Sequence, residues 1–418
     1  MVKNNDIKSN ESFFLSTDNP YKYLKKIDAR SISFVVAFGD MPQQVLKGGG
    51  YDVIVIGGGI MGIALATVES ERGRRVLLLE REERPVGASV QNFGLLWCLG
   101  QPAHLWKRAL RTRARWLALA GRAGFQAAAN GSIHLAHGDL DAAVLKEFVE
   151  TAPEGFEGHW LEAGEIPARC TAVRRDGLVG GLWSPHETTV DGREALPRLL
   201  EWLQRERGVD VRFDAAVSRV EAPEVVSAAG TFRADRIHVC TGTELRILFP
   251  EVYRASGITK TKLQMWRTHR QPGGWRLGPS LCAGLTYLHY AAFAGCPSLP
   301  ALRARYERTH AEHLAHGIHV LLAQNALGEA IVGDTHHYSL THDPFLHDDL
   351  DRLIAGYLGT FARVPDPRVA QRWVGMYAKI PGKTDLIAHP QPGVTIVNAL
   401  GGAGMTLSFG LAEELVPE

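Results

Sequence analysis

Gly57, Gly59, Gly62 and Glu80 are the residues whose types and spacing first suggest chemistry, and they lie together in YDVIVIGGGIMGIALATVESERGRRVLLLE, residues 51–80. Gly57 permits a tight strand-to-helix turn, Gly59 lets the backbone approach a pyrophosphate, and Gly62 allows the helix to lie close to the strand. The helix amides then face the phosphates. Glu80, 18 residues beyond Gly62, ends the second strand, where its carboxylate can accept hydrogen bonds from ribose hydroxyls and repel a 2′-phosphate. The unit predicts an adenine dinucleotide, disfavours NADP, and leaves FAD and NAD open. A second strand–turn–helix, GVTIVNALGGAGMTLSFGLAEELV at 393–416, points to a flavin. Its helix N-terminus suits the negative charge that a reduced flavin carries near N1 and O2, a demand NAD does not make.

Other elements must bring these distant segments together. A helical pattern runs from about Ala103 to Ala123, with an apolar stripe that includes Leu105, Trp106, Leu110, Trp116 and Leu119. Residues 141–152 form a second helix, and residues 190–208 a third, ended by Gly208. VDVRFDAAVSRVEA, from Val209, reads as paired strands around a loop, and the small sheet continues through GTFRADRIHVCTG. There Ile237–Cys240 is a buried strand that returns the chain to the nucleotide unit and enters the Thr241-Gly242 turn. Within 251–384, KLQMWRTHR and HVLLAQNALGEAIVGD alternate as strands of a half-exposed antiparallel sheet, with helices near 299–316 and 347–362.

With 418 residues, 45% hydrophobic and 22% charged, the chain can bury a sizeable core and has the length of two or three domains. A net charge of +1 supplies no global field to gather nucleic acid or anionic membrane, so neither is expected as a partner. Cys98, Cys170, Cys240, Cys282 and Cys296 contain no CxxC pair, which suits reduced thiols in a cytoplasmic protein. ISFVVAF at 32–38 is too short and too deep for a signal peptide, and no run is long enough to span a membrane. Residues 1–47 carry six lysines and one arginine, whereas residues 51–418 carry six lysines and thirty-three arginines. They read as an appended segment joined by a flexible Gly48–Gly50 linker, or as a natural extension that packs through Phe34–Phe38.

Residues 51–416 resemble the D-amino-acid oxidase superfamily of FAD-dependent amine oxidoreductases, which includes glycine oxidase and sarcosine oxidase. The GGGIMG turn with Glu80, the GASVQNFG segment, the VCTG turn and the GGAGMTLSFG helix start carry the likeness. The resemblance implies an α/β and α+β architecture. A Rossmann-like FAD-binding domain of the glutathione-reductase-2 or p-hydroxybenzoate-hydroxylase-like type would be built from 51–100, 185–250 and 385–418. A second, antiparallel-sheet substrate domain would come from 101–184 and 251–384, with 1–50 as the N-terminal segment. It implies FAD contacts at Gly57, Gly59, Gly62, Glu80, Ser89, Asn92, Gly94, Val217, Gly242, Gly402, Gly404, Met405 and Thr406, with Val217 pairing to adenine through its backbone. Sarcosine oxidases attach flavin to a cysteine in a CMYT-like segment. Here GMYAK places Gly375 in that position, so the FAD is expected to be non-covalent. Glycine-oxidase relatives carry an arginine for the substrate carboxylate where RWVGMYAK places Tyr377, with Lys379 two residues on.

KLQMWRT, GLTYLHYAAF, GDTHHY and RWVGMYAK resemble, more narrowly, the subfamily associated with bacterial 2-aminoethylphosphonate breakdown. That likeness implies oxidation of a small anionic amine, such as N-methyl-2-aminoethylphosphonate, to phosphonoacetaldehyde. The C–H bond of a neutral amine is placed over flavin N5 for hydride transfer, the imine is hydrolysed to aldehyde plus amine, and the electrons pass to oxygen or another acceptor. A phosphonate calls for cationic and hydrogen-bonding groups. Tyr377, Lys379, His289, Tyr290, His337 and Tyr338 are the candidates, although each also suits a core aromatic or a solvated polar residue. A glycine, sarcosine or D-amino-acid oxidase or dehydrogenase is the alternative, and a tRNA-modifying flavoprotein a remote one. His310, His313 and His316 with Glu312 read as a solvated helix face, so no metal is assigned. His336, His337, His342 and His347 read as an exposed loop.

Overall fold

The computed structural model describes residues 50–418. The expectations for residues 1–47 and for most of the glycine linker lie outside the described residues. Six strands form the sheet beneath the first glycine turn, in the order Leu386–Ala388, Val394–Asn398, Arg236–Val239, Val53–Ile56, Val76–Leu79 and Asp210–Arg212. All neighbours are parallel except the first pair. Ile54 sits opposite both Ile237 and Leu77, so the strand that ends in the turn is central and covered on both faces. This explains its unbroken VIVI sequence.

The helix Ile60–Glu71 is buried along almost its whole length, as its run of apolar and small residues requires. It lies between the sheet and the helices Trp106–Ala123, Gly192–Arg207 and Gly404–Leu415, which share one apolar core with it. Its last turn carries the buried carboxylate of Glu69, which accepts hydrogen bonds from His238 Nε2 at 2.7 Å, from Arg236 at 3.1 Å, and from Arg74. Burial opposes the charge, yet these donors hold the Glu69 carboxyl down at about 2. The network ties the helix to the strand Arg236–Val239.

The helix Trp106–Ala123, expected in the substrate domain, packs against the helices of the nucleotide side. Trp116 is fully buried in the nucleotide-side core, and its indole N–H donates to the Met405 carbonyl at 2.9 Å. The adjacent strands VDVRF and VSRVE also do not pair with each other. Asp210–Arg212 extends the six-stranded sheet, whereas Val217–Glu221 joins Glu224–Ser227 and Gly230–Arg233 in a separate antiparallel sheet.

Thr259–Arg270, Val369–Lys379, Glu329–Gly333, Leu321–Gln324 and Ser280–Ala283 belong to a nine-stranded sheet. It is mostly antiparallel, with one parallel junction between Ser280–Ala283 and Ser132–Ala136. The sheet is half-exposed only along Val369–Lys379 and His337–Ser339, and more buried elsewhere than its alternation suggests. Leu321–Gln324 is buried at every position and Thr259–Arg270 at most, because the outer surface is covered by helices whose side chains join the same core.

Candidate active site

Gly57 has φ +109, and a β-carbon there would stand 2.3 Å from the Cys240 carbonyl oxygen. A β-carbon on Gly62 would stand 1.9 Å from the Gly57 carbonyl oxygen. These two glycines let three backbone segments meet. Gly59 differs: the nearest atom to its β-carbon would be Ser89 Oγ at 3.5 Å, and it lines an open cavity of about 490 Å³. Ser89 Oγ accepts from the Ile60 N–H at 3.1 Å, at the start of the helix. Glu80 Oε2 accepts from Gly58 N at 2.6 Å and Oε1 from Glu82 N at 3.0 Å, so the carboxylate shapes the turn it faces. Glu80, Val217 and Gly242 also line this cavity, as does Gly404 at the start of the C-terminal helix.

A second cavity, of about 390 Å³, shares Tyr377, Leu400 and Gly401 with the first. Asn92, Gly402 and Thr406 are in its lining. Gly94, Gly62 and Met405 line neither cavity. A β-carbon on Gly94 would stand 1.9 Å from the Val190 carbonyl oxygen, so this glycine serves close packing. Met405 is buried, and Thr406 Oγ1 accepts from Trp97 N at 2.9 Å. Both help to seat the C-terminal helix.

Four segments supply the polar wall of the second cavity. Tyr377 and Lys379 lie two apart on the strand Val369–Lys379, hence on one face of it. His289 ends the helix Leu285–His289 and Tyr290 follows it. His319 precedes the strand Leu321–Gln324, while Asp334 and His336 follow the strand Glu329–Gly333. The rings of His289 and His319 lie 3.9 Å apart between centroids, those of His289 and His336 4.5 Å, and those of His319 and His336 5.0 Å. Asp334 Oδ1 is 3.4 Å from His319 Nε2 and 3.7 Å from His336 Nδ1.

Burial dominates the electrostatics here. It pushes the His289 imidazole down to about 3, with the nearby Lys379 adding to the effect. It holds His319 and His336 well below the ordinary histidine range, helped by His289 and Lys379. The same cause lowers Lys379 and raises the Asp334 carboxyl and the Tyr290 and Tyr377 hydroxyls.

The structure thus brings together Tyr377, Lys379, His289 and Tyr290, but not His337 and Tyr338. His337 Nε2 meets His316 Nδ1 at 3.0 Å, and Tyr338 is 53% exposed, with the Lys379 ammonium 5.8 Å from its ring centroid. Neither lines the cavity. His336, read from the sequence as part of an exposed loop, is 5% exposed and faces the cavity instead. His319 and Asp334 were not singled out by sequence. Their one signal was polarity within an otherwise apolar pair of strands.

The joined cavities run from the amide end of one helix to that of another, with glycine backbone at Gly59 and Gly402 where a side chain would intrude. This shape fits an extended dinucleotide. The family described as DAO, FAD dependent oxidoreductase, matches residues 52–417. The chain belongs to the DAO family. This DAO-family chain is 31% identical to the D-amino-acid oxidase of Streptomyces coelicolor (strain ATCC BAA-471 / A3(2) / M145) over 205 residues, 48% of this chain and 55% of that protein. The chain therefore spans about half the length of that curated relative. Glycine oxidase from Geobacillus kaustophilus superposes with a TM-score of 0.69 at 18% identity, covering 87% of this chain and 94% of that one. Dithionite-reduced L-α-glycerophosphate oxidase from Mycoplasma pneumoniae, with FAD bound, superposes with a TM-score of 0.66 at 15% identity, covering 88% and 94%. Among the described residues no helix is long and apolar enough to cross a membrane.

Proposed function

We propose that this DAO-family chain oxidises the C–N bond of a small anionic amine, with N-methyl-2-aminoethylphosphonate or a related aminophosphonate as the substrate. The observation that carries this reading is the wall of the second cavity. It presents two lysines, Lys379 and Lys383, four histidines and two tyrosines, with one carboxyl at Asp334 and no arginine. A carboxylate is commonly clamped by the planar two-pronged guanidinium, whereas a point-charge ammonium with several single donors suits a rounder oxyanion.

FAD would be held non-covalently, with Glu80 at the ribose, Val217 at the adenine and the Gly404–Leu415 helix start at the pyrimidine ring. When bound, FAD supplies the acceptor for a hydride and thus for two electrons. Tyr377 stands on the wall common to both cavities, where it would fix the depth to which the amine enters. Lys379, two residues on, would hold the anionic end and so orient the reacting C–H bond. Burial of this wall favours the uncharged amine, the form that can lose hydride. The substrate nitrogen loses its proton as carbon loses hydride; water then adds across the resulting C=N bond, releasing phosphonoacetaldehyde and methylamine. Oxygen or another acceptor would then take the electrons.

The test is anaerobic bleaching of the flavin by N-methyl-2-aminoethylphosphonate, 2-aminoethylphosphonate, sarcosine, glycine and D-alanine. Rapid bleaching by the phosphonates is expected. Bleaching by the carboxylates alone would refute the reading in favour of an amino-acid oxidase or dehydrogenase.

A further inference from the structure

The histidine cluster contains more than orientation of a substrate by Lys379 requires. His319, His336 and Asp334 are 3%, 5% and 4% exposed. His319 Nδ1 and Asp334 Oδ1 are buried without a hydrogen-bond partner. Leaving a buried polar atom unpaired is costly, so such atoms clustered on one cavity wall point to a missing ligand. His336 Nδ1 donates to the Gly317 carbonyl at 3.2 Å, which leaves Nε2 of the neutral ring free to accept from another partner.

One nitrogen from each of His289, His319 and His336 falls within 4.8 Å of the others. A metal ion and an anion are the two ligands such a cluster could take, and the ring arrangement separates them. Imidazoles that coordinate one ion with Zn–N bonds of about 2 Å radiate from it, which keeps ring centroids about 5 Å apart at the tetrahedral angle. Here the His289 and His319 rings lie 3.9 Å apart with only 30° between their planes. This pair of rings stands closer than two imidazoles bound to one ion would. Lys379 also lines this cavity, and its ammonium would repel a divalent cation while attracting an anion.

We infer that His289, His319 and His336, together with Lys379, form the seat of a tetrahedral oxyanion in its singly protonated form, with His289, His319 and Lys379 donating to its oxygens, His336 Nε2 accepting from its hydroxyl, and Asp334 beside His319 and His336. Three oxygens on one central atom can each meet a separate partner, as imidazoles from three segments provide, whereas a flat carboxylate has only two oxygens to offer. Asp334 is a positioning residue: its Oδ1 stands 3.4 Å from His319 Nε2 and 3.7 Å from His336 Nδ1, close enough to bias the orientation of both rings. The seat deepens the proposed function, because it names where the phosphonate end of the substrate rests. It rests on that reading only for the identity of the group that carries the oxyanion.

The test uses the oxidised, FAD-loaded full chain and measures binding of methylphosphonate, inorganic phosphate and acetate by the change each causes in the flavin spectrum. Methylphosphonate is expected to bind well and acetate poorly. A bound phosphate as tight as methylphosphonate also supports the seat and shows that the free ion is accepted. His319→Gln and His336→Gln should each weaken methylphosphonate roughly tenfold or more, as expected when a hydrogen bond to a charged group is removed. Asp334→Asn should weaken it less while retaining FAD. Should a glutamine variant lose FAD, Lys379→Met, altered at a half-buried position, provides the same comparison.

Unchanged methylphosphonate affinity in FAD-replete variants would overturn the inference. So would a stoichiometric divalent metal in the purified protein that is lost from the His319→Gln variant. The two readings fail separately. If aminophosphonates do not bleach the flavin while methylphosphonate binding depends on His319 and His336, the substrate reading falls and the seat stands. If they bleach it with the same KM in every variant, the seat falls and the substrate reading stands.

Discussion

Replacing Glu69 by glutamine keeps the size of the side chain and removes the charge that ties the nucleotide-binding helix to the strand Arg236–Val239. The carboxyl is fully buried, and despite that burial its midpoint falls from 4.5 to about 2 in the folded chain because His238, Arg74 and Arg236 donate to it. A carboxyl shifted this far gives roughly 3 kcal/mol of stability at neutral pH. Because the folded value is the lower one, this stability is present above pH 4.5 and is lost as pH falls through about 2. The stability difference between the native protein and Glu69→Gln is therefore expected at about 3 kcal/mol at pH 7, nearly unchanged at pH 5, and down to roughly 2 kcal/mol at pH 3.5. Urea unfolding of the FAD-loaded proteins at the three pH values measures it, with tryptophan fluorescence and flavin release followed in parallel. A variant within about 0.5 kcal/mol of the native protein at neutral pH, the range of an ordinary surface change, would refute the reasoning. So would a gap that does not narrow between pH 5 and pH 3.5.

Gly59→Val and Gly57→Ala should separate cofactor binding from folding. At Gly59 an added β-carbon meets only Ser89 Oγ, at 3.5 Å, and the residue lines the cavity, so thermal stability of the FAD-free protein should hold while FAD affinity falls at least about tenfold. At Gly57 a single methyl collides with the Cys240 carbonyl at a left-handed φ, so the FAD-free protein itself should melt earlier; equal melting of the two variants would contradict this. Flavin attachment is checked by acid precipitation: all the yellow colour should remain in the supernatant, and a flavin-fluorescent pellet would show a covalent bond.

The glycine turn was legible because its constraints are local. Gly57, Gly59 and Gly62 sit within six residues, and each marks a place where the backbone must turn, approach or pack. Gly208, which ends the helix Gly192–Arg207 in a left-handed conformation, was legible for the same reason. Pairings between distant strands were not. VDVRF and VSRVE look like a hairpin, but the first is drawn to the exposed edge of Val76–Leu79 and the second to its own neighbour Glu224–Ser227, a choice set by tertiary packing. The helix Trp106–Ala123 displays its apolar stripe plainly, yet only the C-terminal helix, almost three hundred residues later, shows which core that stripe enters.

The histidines reveal a finer limit. His336 and His337 are neighbours, and extended chain points neighbours to opposite sides. Composition alone could favour either, and the sequence reading took the one that turns away to meet His316. Parity within the segment is set by where the preceding strand Glu329–Gly333 pairs, namely with Thr259–Arg270 on one side and Leu321–Gln324 on the other. That pairing also sets the position of His319, at the entry to the second of those strands. His319 and His336, with no common motif, therefore meet because two registers agree, and His289 joins them from the end of the helix Leu285–His289. A one-residue slip in either register would turn an imidazole from the cavity to the opposite face, so the geometry of the anion seat depends on strand pairing as much as on residue identity.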